Sequence, residues 1–382
     1  RISKGVSIMK NLLFYGTTDY EKKLNNSNIL KFRELSKNFS MFVMTYGHEN
    51  KTVNHDYVTI NYIKKPNTLI SKYLKFYFLN FSHLKRFCDE NNIDIISAKD
   101  PIAALLPTII KKIYKREFKI VIEHHGDFLN LLLNQRVFKF KFMIKIFLKY
   151  LSNYTYKNCD FIRGVEGEYT KTLSNKYDKD FLIFPAWVDY KIYKPVENER
   201  EGLIYVGNII PRKGVLFLIK NFHEYSKKYN LHEKLLIVGE IQNLDYFNEC
   251  NDYINKNNIN YIQFLDSQQP EDLSKIYSSS RLLLMASNYE GLPRVLIESS
   301  LCGTPSLASN IQGISDPFGK YGGTILYKLN DSKDFQKKLH YFLNDNEIQK
   351  SLEEKAIALS SKLSGKNRFT NNWKKIEEKV YE

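Results

Sequence analysis

The residues best suited to do chemistry lie in one short stretch of the second half. The apolar run Leu282–Met285 ends in Ala286 and Ser287, then come Glu290, Gly291, Leu292 and Pro293, with Glu298 eight positions beyond Glu290. One carboxylate in a loop and a second about a turn and a half into a helix can enter the same cleft at different heights. Carboxylates accept hydrogen bonds from sugar hydroxyls, two at once from a vicinal diol. Pro293 suits the first helical position, where its missing N–H would be unpaired anyway. A helix start offers free N–H groups and a positive dipole end, so a diphosphate is expected against Gly291 and Leu292. Gly303-Thr304-Pro305 then ends the helix and begins the next strand.

A second set precedes it. Leu203–Val206 reads as a strand, and Gly207, Asn208, Pro211, Arg212, Lys213 and Gly214 follow as a turn and a helix entry bearing two cations. In the first half, Gly16 follows the run Leu12–Tyr15, where a glycine lets backbone approach phosphate closely. His124 and His125 end the run Ile120–Glu123, just before Gly126 and Asp127. His124 is expected to be packed, and by residue type alone His125 would be read the same way. No G-x-G-x-x-G or Walker A pattern occurs, which counts against NAD and ATP chemistry. Asp178-Lys179-Asp180 lies in a charged turn and reads as coincidence rather than a metal site.

The elements that must position these residues are short buried strands. Runs of four to six apolar residues recur at Leu12–Tyr15, Met41–Thr45, Ile93–Ser97, Ile120–Glu123, Leu203–Val206, Leu235–Val238, Tyr261–Leu265 and Leu282–Met285, each followed by a helix-length segment. That alternation predicts an α/β fold with a parallel buried sheet, built twice. At 382 residues the chain exceeds what one core sustains. The polar, proline-bearing stretch from Val188 to Gly202 marks the hinge. Two Rossmann-like domains facing across a cleft are expected, at 1–195 and 196–364. Residues 365–382 form a helix crossing back to the first domain, with Phe369, Trp373, Ile376 and Val380 on its apolar side.

With these residues in view, E-G-L-P-R-V-L-I-E-S-S-L-C-G-T-P at 290–305 resembles the E-x7-E signature of the retaining family-4 glycosyltransferases, group 1 transferases of the GT-B fold. The resemblance implies that Glu290 contacts the donor sugar, Glu298 holds the nucleotide ribose, and the amides of Gly291 and Leu292 meet the phosphates. Residues 203–215 resemble the family's strand, V-G-R turn and K-G entry. Lys213 matches its lysine, whereas the arginine expected after Gly207 is Asn208, and Arg212 is the residue that could take its place. Phe184-Pro185-Ala186-Trp187-Val188-Asp189 is similar to the P-x-G-V-D segment, with Trp187 where glycine is usual. His125 matches the histidine that reaches toward the donor sugar, and Gly16 the glycine of the first strand's loop. Catalytic roles are thus implied for His125, Glu290 and Lys213, and donor binding for Gly16, Asn208, Arg212, Lys213, Gly291, Leu292 and Glu298.

Charge divides unevenly. Residues 1–195 hold 33 Lys and Arg against 18 Asp and Glu, whereas residues 196–382 hold 24 of each, so the net +15 sits in the first half. Such a field favours an anionic partner. Between Asp127 and Asp160 there is no acidic residue, and Lys141, Lys145 and Lys149 form one helical stripe with Phe140, Met143, Ile144, Phe147 and Leu151 largely opposite. A core-packed helix with a solvated lysine face is the first expectation. An anionic membrane surface met through residues 136–149 is the second. Four scattered cysteines indicate neither disulfide framework nor zinc site, and fit a reducing compartment. Ile8–Phe14 reads as a start and first strand rather than a signal segment.

The expected protein is a metal-independent retaining hexosyltransferase. It would move sugar from a UDP- or GDP-sugar to a glycan or lipid-linked acceptor in polysaccharide, lipopolysaccharide or glycolipid assembly, with no further cofactor. It is expected to be cytoplasmic or peripheral on the inner membrane face. The alternatives are a sugar-nucleotide 2-epimerase on the same fold, which needs no acceptor, and a non-catalytic basic membrane- or nucleic-acid-binding protein. No recognised nucleic-acid motif supports the last.

Overall fold

In the computed structural model the described residues are 9–18, 20, 26–66, 80–124, 126, 141–165, 167–196, 199–231, 233–319, 322–365 and 367–382. They divide into two compact units, residues 1–187 with 367–382, and 188–366.

The first unit is an eight-stranded sheet of β1 (Lys10–Tyr15), β2 (Phe39–Gly47), β3 (Lys51–His55), β4 (Val58–Lys64), β5 (Ile95–Ala98), β6 (Lys119–His124), β7 (Phe161–Gly164) and β8 (Phe181–Ile183). Its order is β3-β4-β2-β1-β5-β6-β7-β8, parallel except for β3 against β4. Alternation within β1 shows why the sheet is covered on both sides. Leu13 and Tyr15 point into one apolar cluster, Leu12 and Phe14 into the other. The β3–β4 hairpin escapes a search for continuous apolar runs because Thr59 and Asn61 interrupt Val58, Ile60 and Tyr62 on one face.

The helix Arg368–Tyr381 belongs to this unit, as the crossing-back expectation required. It buries Trp373, Ile376 and Val380 in the cluster under β1 and sets Trp373 edge-on to Phe14, ring centroids 5.3 Å apart. Each such apolar side chain contributes about 1.5–3 kcal/mol of burial. Trp187 also packs here, edge-on to Phe369 and donating to Ser27 Oγ at 3.2 Å.

One expectation fails in the helix Lys141–Asn158. The sequence reading packs Met143 and Phe147 against a core, but they are 67% and 54% exposed. Another side of the same helix does enter the unit, Leu148 and Leu151 packing against its core and Ser152, Thr155 and Tyr156 being buried. Of the stretch 136–149, residues 136–140 lie outside the described residues.

The second unit has six parallel strands: β9 (Leu203–Val206), β10 (Leu235–Val238), β11 (Ile262–Leu265), β12 (Leu282–Met285), β13 (Ser306–Ser309) and β14 (Thr324–Tyr327). Their order, β11-β10-β9-β12-β13-β14, is that of a dinucleotide-binding Rossmann sheet. The strand order reverses between β9 and β12, the position outside whose strand ends open α/β sheets bind their ligands. Leu283 pairs with Ile204 in the parallel ladder, so Gly207 and Ala286 leave the sheet at the same, carboxyl-terminal end of these two central strands.

Candidate functional site

The loop from Ala286 to Leu292 starts at the end of β12, whose four residues are all buried. Its first turn is tied down by Ser309 Oγ, which donates to the Ser287 carbonyl at 2.6 Å. Gly313 lies directly against the loop, and a Cβ there would collide with the carbonyl oxygens of Glu290 and Gly291. The helix Arg294–Leu301 follows, with Pro293 as its N-cap, one position earlier than the sequence reading put it. Its far end is anchored by Arg200, which donates to the Cys302 carbonyl and to Thr304 Oγ1 at 3.0 and 2.8 Å.

At the end of β9 the chain passes Gly207 and Asn208 and makes a single 3-10 turn, Pro211–Lys213, closed by Gly214. Gly214 is required twice over. Its φ of 68° is left-handed, and a Cβ would collide with the Ala286 carbonyl. This close approach brings the two loops together. Asn288 N donates to the Arg212 carbonyl at 2.9 Å, and Arg212 Nη1 donates to the Tyr289 carbonyl at 2.6 Å.

The outcome is a compact charge cluster. Lys213 Nζ lies 2.5 Å from Glu290 Oε1, and Arg212 Nη1 lies 3.3 Å from the same oxygen. Both cations are partly buried, so this triad carries one net positive charge in a setting where electrostatics exceed those in water. Asn208 stands nearby in sequence, but its carbonyl accepts from Tyr205 while Arg212 supplies the second cation. Glu290, Lys213 and Arg212 therefore meet, next to Gly291 and Leu292.

Glu298 is buried one helix turn further in. Arg294 Nη2 lies 3.1 Å from its Oε1, and Tyr277 donates to Oε2 at 3.4 Å. Burial pushes this carboxyl above the ordinary glutamate range, with Arg294 and Tyr277 acting against the rise. With these two side-chain partners among the described residues, the buried carboxylate has acceptor capacity to spare for ligand hydroxyls. Arg294, Tyr277 and Gly313 were not picked out in the sequence. Arg294 could have been, since it stands four residues before Glu298 on one helix face.

Gly16 and His125 belong to the first unit. Gly16 follows β1 with its amide donating to the Met44 carbonyl at 3.2 Å, and its Cα faces the Lys99 side chain. His125 lies outside the described residues. His124 is the packed strand-end residue: it is buried, its Nε2 shares a hydrogen bond with Thr170 Oγ1 at 2.8 Å, and burial, then Arg163, lowers its pKa to about 4. Beneath it a buried network ties the strand ends together. Arg163 Nη1 contacts Glu123 Oε2 at 2.6 Å, its Nη2 donates to the carbonyls of Phe184 and Pro185, and Ser97 Oγ donates to Glu123 Oε1 at 2.5 Å.

Comparison with known proteins falls on the same unit. Residues 191–359 match the family model of the Glycosyl transferases group 1. An uncharacterized glycosyltransferase of Methanocaldococcus jannaschii is 24% identical over 220 residues, covering 56% of this chain and 59% of that protein. A Campylobacter jejuni enzyme named as an undecaprenol-linked-glycan alpha-1,4-N-acetyl-D-galactosaminyltransferase is 25% identical over 212 residues, covering 54% and 57%. The chain thus spans about half the length of the curated relatives it matches. Among solved structures, Anabaena HepE in complex with UDP and glucose superposes with a TM-score of 0.71 over 97% of this chain and 99% of that one, at 15% identity. That likeness shows the fold, which is GT-B.

Proposed function

We propose that this chain is a group 1 glycosyltransferase that moves a hexose from a nucleoside-diphosphate sugar to a glycan or lipid-linked acceptor with retention of configuration. The observation that carries the reading is the triad of Lys213, Arg212 and Glu290 at the Rossmann switch point, beside a helix start and the buried Glu298. Lys213 and Arg212 face the diphosphate, Gly291 and Leu292 offer it amides, Glu298 accepts the ribose hydroxyls, and Glu290 contacts the donor sugar. In this reading Arg212 takes the place of the arginine replaced by Asn208. Gly16 keeps the donor-binding role, and His125 the catalytic role toward the donor sugar, that the family resemblance implies.

The acceptor hydroxyl attacks C1 of the sugar on the face the phosphate leaves. The new C1–O bond forms as the C1–phosphate oxygen bond breaks, and the hydroxyl proton passes to the departing phosphate oxygen. No covalent enzyme intermediate and no metal is assigned, since two cations and the helix-start amides supply the charge stabilisation. A UDP- or GDP-linked donor and a role in surface polysaccharide or glycolipid assembly, at the cytoplasmic face of the membrane, complete the proposal. The names of the Campylobacter enzyme and of the UDP-bound Anabaena protein support the acceptor and donor classes.

A thermal-shift series against UDP, GDP, ADP and their sugars tests the reading. One base should raise the melting temperature, and its diphosphate more than its monophosphate. A flat response to all of them would overturn the donor site. An epimerase would instead consume the donor with no acceptor present.

A further inference from the structure

We propose that the helix Lys141–Asn158 is a membrane-docking element that lays its amino-terminal half into the surface of an anionic lipid bilayer. The inference does not rest on the transferase reading. It starts from five large apolar side chains that the protein leaves in water: Phe142, Met143, Ile146, Phe147 and Tyr150, between 54% and 75% exposed. At about 100° per residue they fall within an arc of about 140° on one side of the helix. Folded proteins rarely leave so much contiguous apolar surface without a partner.

The charges beside this face say what the partner is. Lys149 and Lys145 lie about 20° and about 60° beyond Phe142 on the helix circumference. Both are exposed, and neither has an ion pair among the described residues. From Lys141 to Asn158 the helix carries no acidic residue, and the half of the chain that contains it holds all of the net +15. A second copy of the chain would bring like charge against like charge across a two-fold contact. A bilayer with anionic head groups offers the opposite: an apolar layer for the phenyl rings and phosphates for the lysines at its edge. The membrane-facing side is therefore the apolar arc, with the lysine stripe as its flank. No helix among the described residues is long and apolar enough to cross a membrane, so the contact is one of lying on the surface.

The test is co-sedimentation with vesicles of equal parts phosphatidylglycerol and phosphatidylcholine, and with pure phosphatidylcholine, in the absence of any sugar nucleotide. Wild-type protein should partition to the mixed vesicles. The Phe142→Ser, Ile146→Ser, Phe147→Ser triple variant should lose about a thousandfold or more in partitioning, since each apolar side chain withdrawn costs about tenfold or more. Lys145→Gln with Lys149→Gln should lose about 30-fold on mixed vesicles only, about fivefold per lysine. A Tyr150→Trp variant should show a blue-shifted emission when mixed vesicles are added, and reads insertion without removing the apolar face. Wild-type protein that stays in solution with mixed vesicles, or a triple variant with an unchanged melting curve that still partitions like wild type, would overturn the proposal. So would a wild-type dimer in light scattering that the triple variant dissociates, because the face would then belong to a second copy. Donor binding in the thermal-shift series is read without lipid, so either claim can fail alone.

Discussion

Replacing Glu290 by glutamine isolates what the triad does. In the structure this carboxylate neutralises half of the positive charge presented by Lys213 and Arg212, at 2.5 and 3.3 Å. A phosphate seated on those cations would lie about 5 Å from the carboxylate, where two unit charges repel by about 3 kcal/mol at an effective dielectric constant of about 20. Solvent screening of the partly exposed cations reduces this to about 1–2 kcal/mol. Glu290→Gln should therefore bind the bare nucleoside diphosphate about 5- to 30-fold more tightly. The sugar nucleotide should gain less, because the carboxylate's contact to the sugar is lost, and transfer should fall. Isothermal titration with the diphosphate that the thermal-shift series identifies, at low and moderate salt, measures the effect. The gain should shrink as salt screens it. An unchanged or weaker diphosphate affinity in a folded variant would refute the reasoning, since the cations would then not be the phosphate's partners.

Glu298→Gln should raise the melting temperature at neutral pH while weakening nucleotide binding about 10- to 100-fold, and a 2′,3′-dideoxynucleotide should lose much less; calorimetry and titration read the two effects. The sign follows from burial: a carboxyl whose folded pKa is raised costs stability as pH rises through the ordinary glutamate range toward that raised value, and glutamine removes the cost. Gly214→Ala should cost on the order of 3 kcal/mol in denaturant unfolding, combining left-handed strain with collision against the Ala286 carbonyl, and should displace Lys213. His124, held near a pKa of about 4, contributes stability that is lost as pH falls from about 6.5 toward 4, on the order of 3 kcal/mol, and His124→Gln should flatten that part of the pH–stability curve.

Much of the fold was legible because parallel buried strands are apolar on both faces. Leu203–Val206, Leu235–Val238 and Leu282–Met285 are strands with the boundaries read from the sequence. The β3–β4 hairpin was not, since Thr52, Asn54, Thr59 and Asn61 break the apolar run at the sheet edge. The motif residues were legible by type and spacing. What they touch was not, because contacts such as Arg212 to Tyr289 and Tyr277 to Glu298 join residues 77 and 21 positions apart. Periodicity alone also assigned the apolar side of the helix Lys141–Asn158 to the core; a pattern marks an apolar face and not what covers it.

The most direct test of the central claim is nucleotide release. Sugar nucleotides of the base that binds are incubated with wild-type protein and with Lys213→Ala, with and without lipid-linked glycan extracts, and free nucleoside diphosphate is counted by mass spectrometry. The account predicts release that depends on the extract and falls by about a hundredfold or more in the variant, the usual cost of losing one group that stabilises transition-state charge. Equal release by both proteins, or release indifferent to the extract, would contradict it.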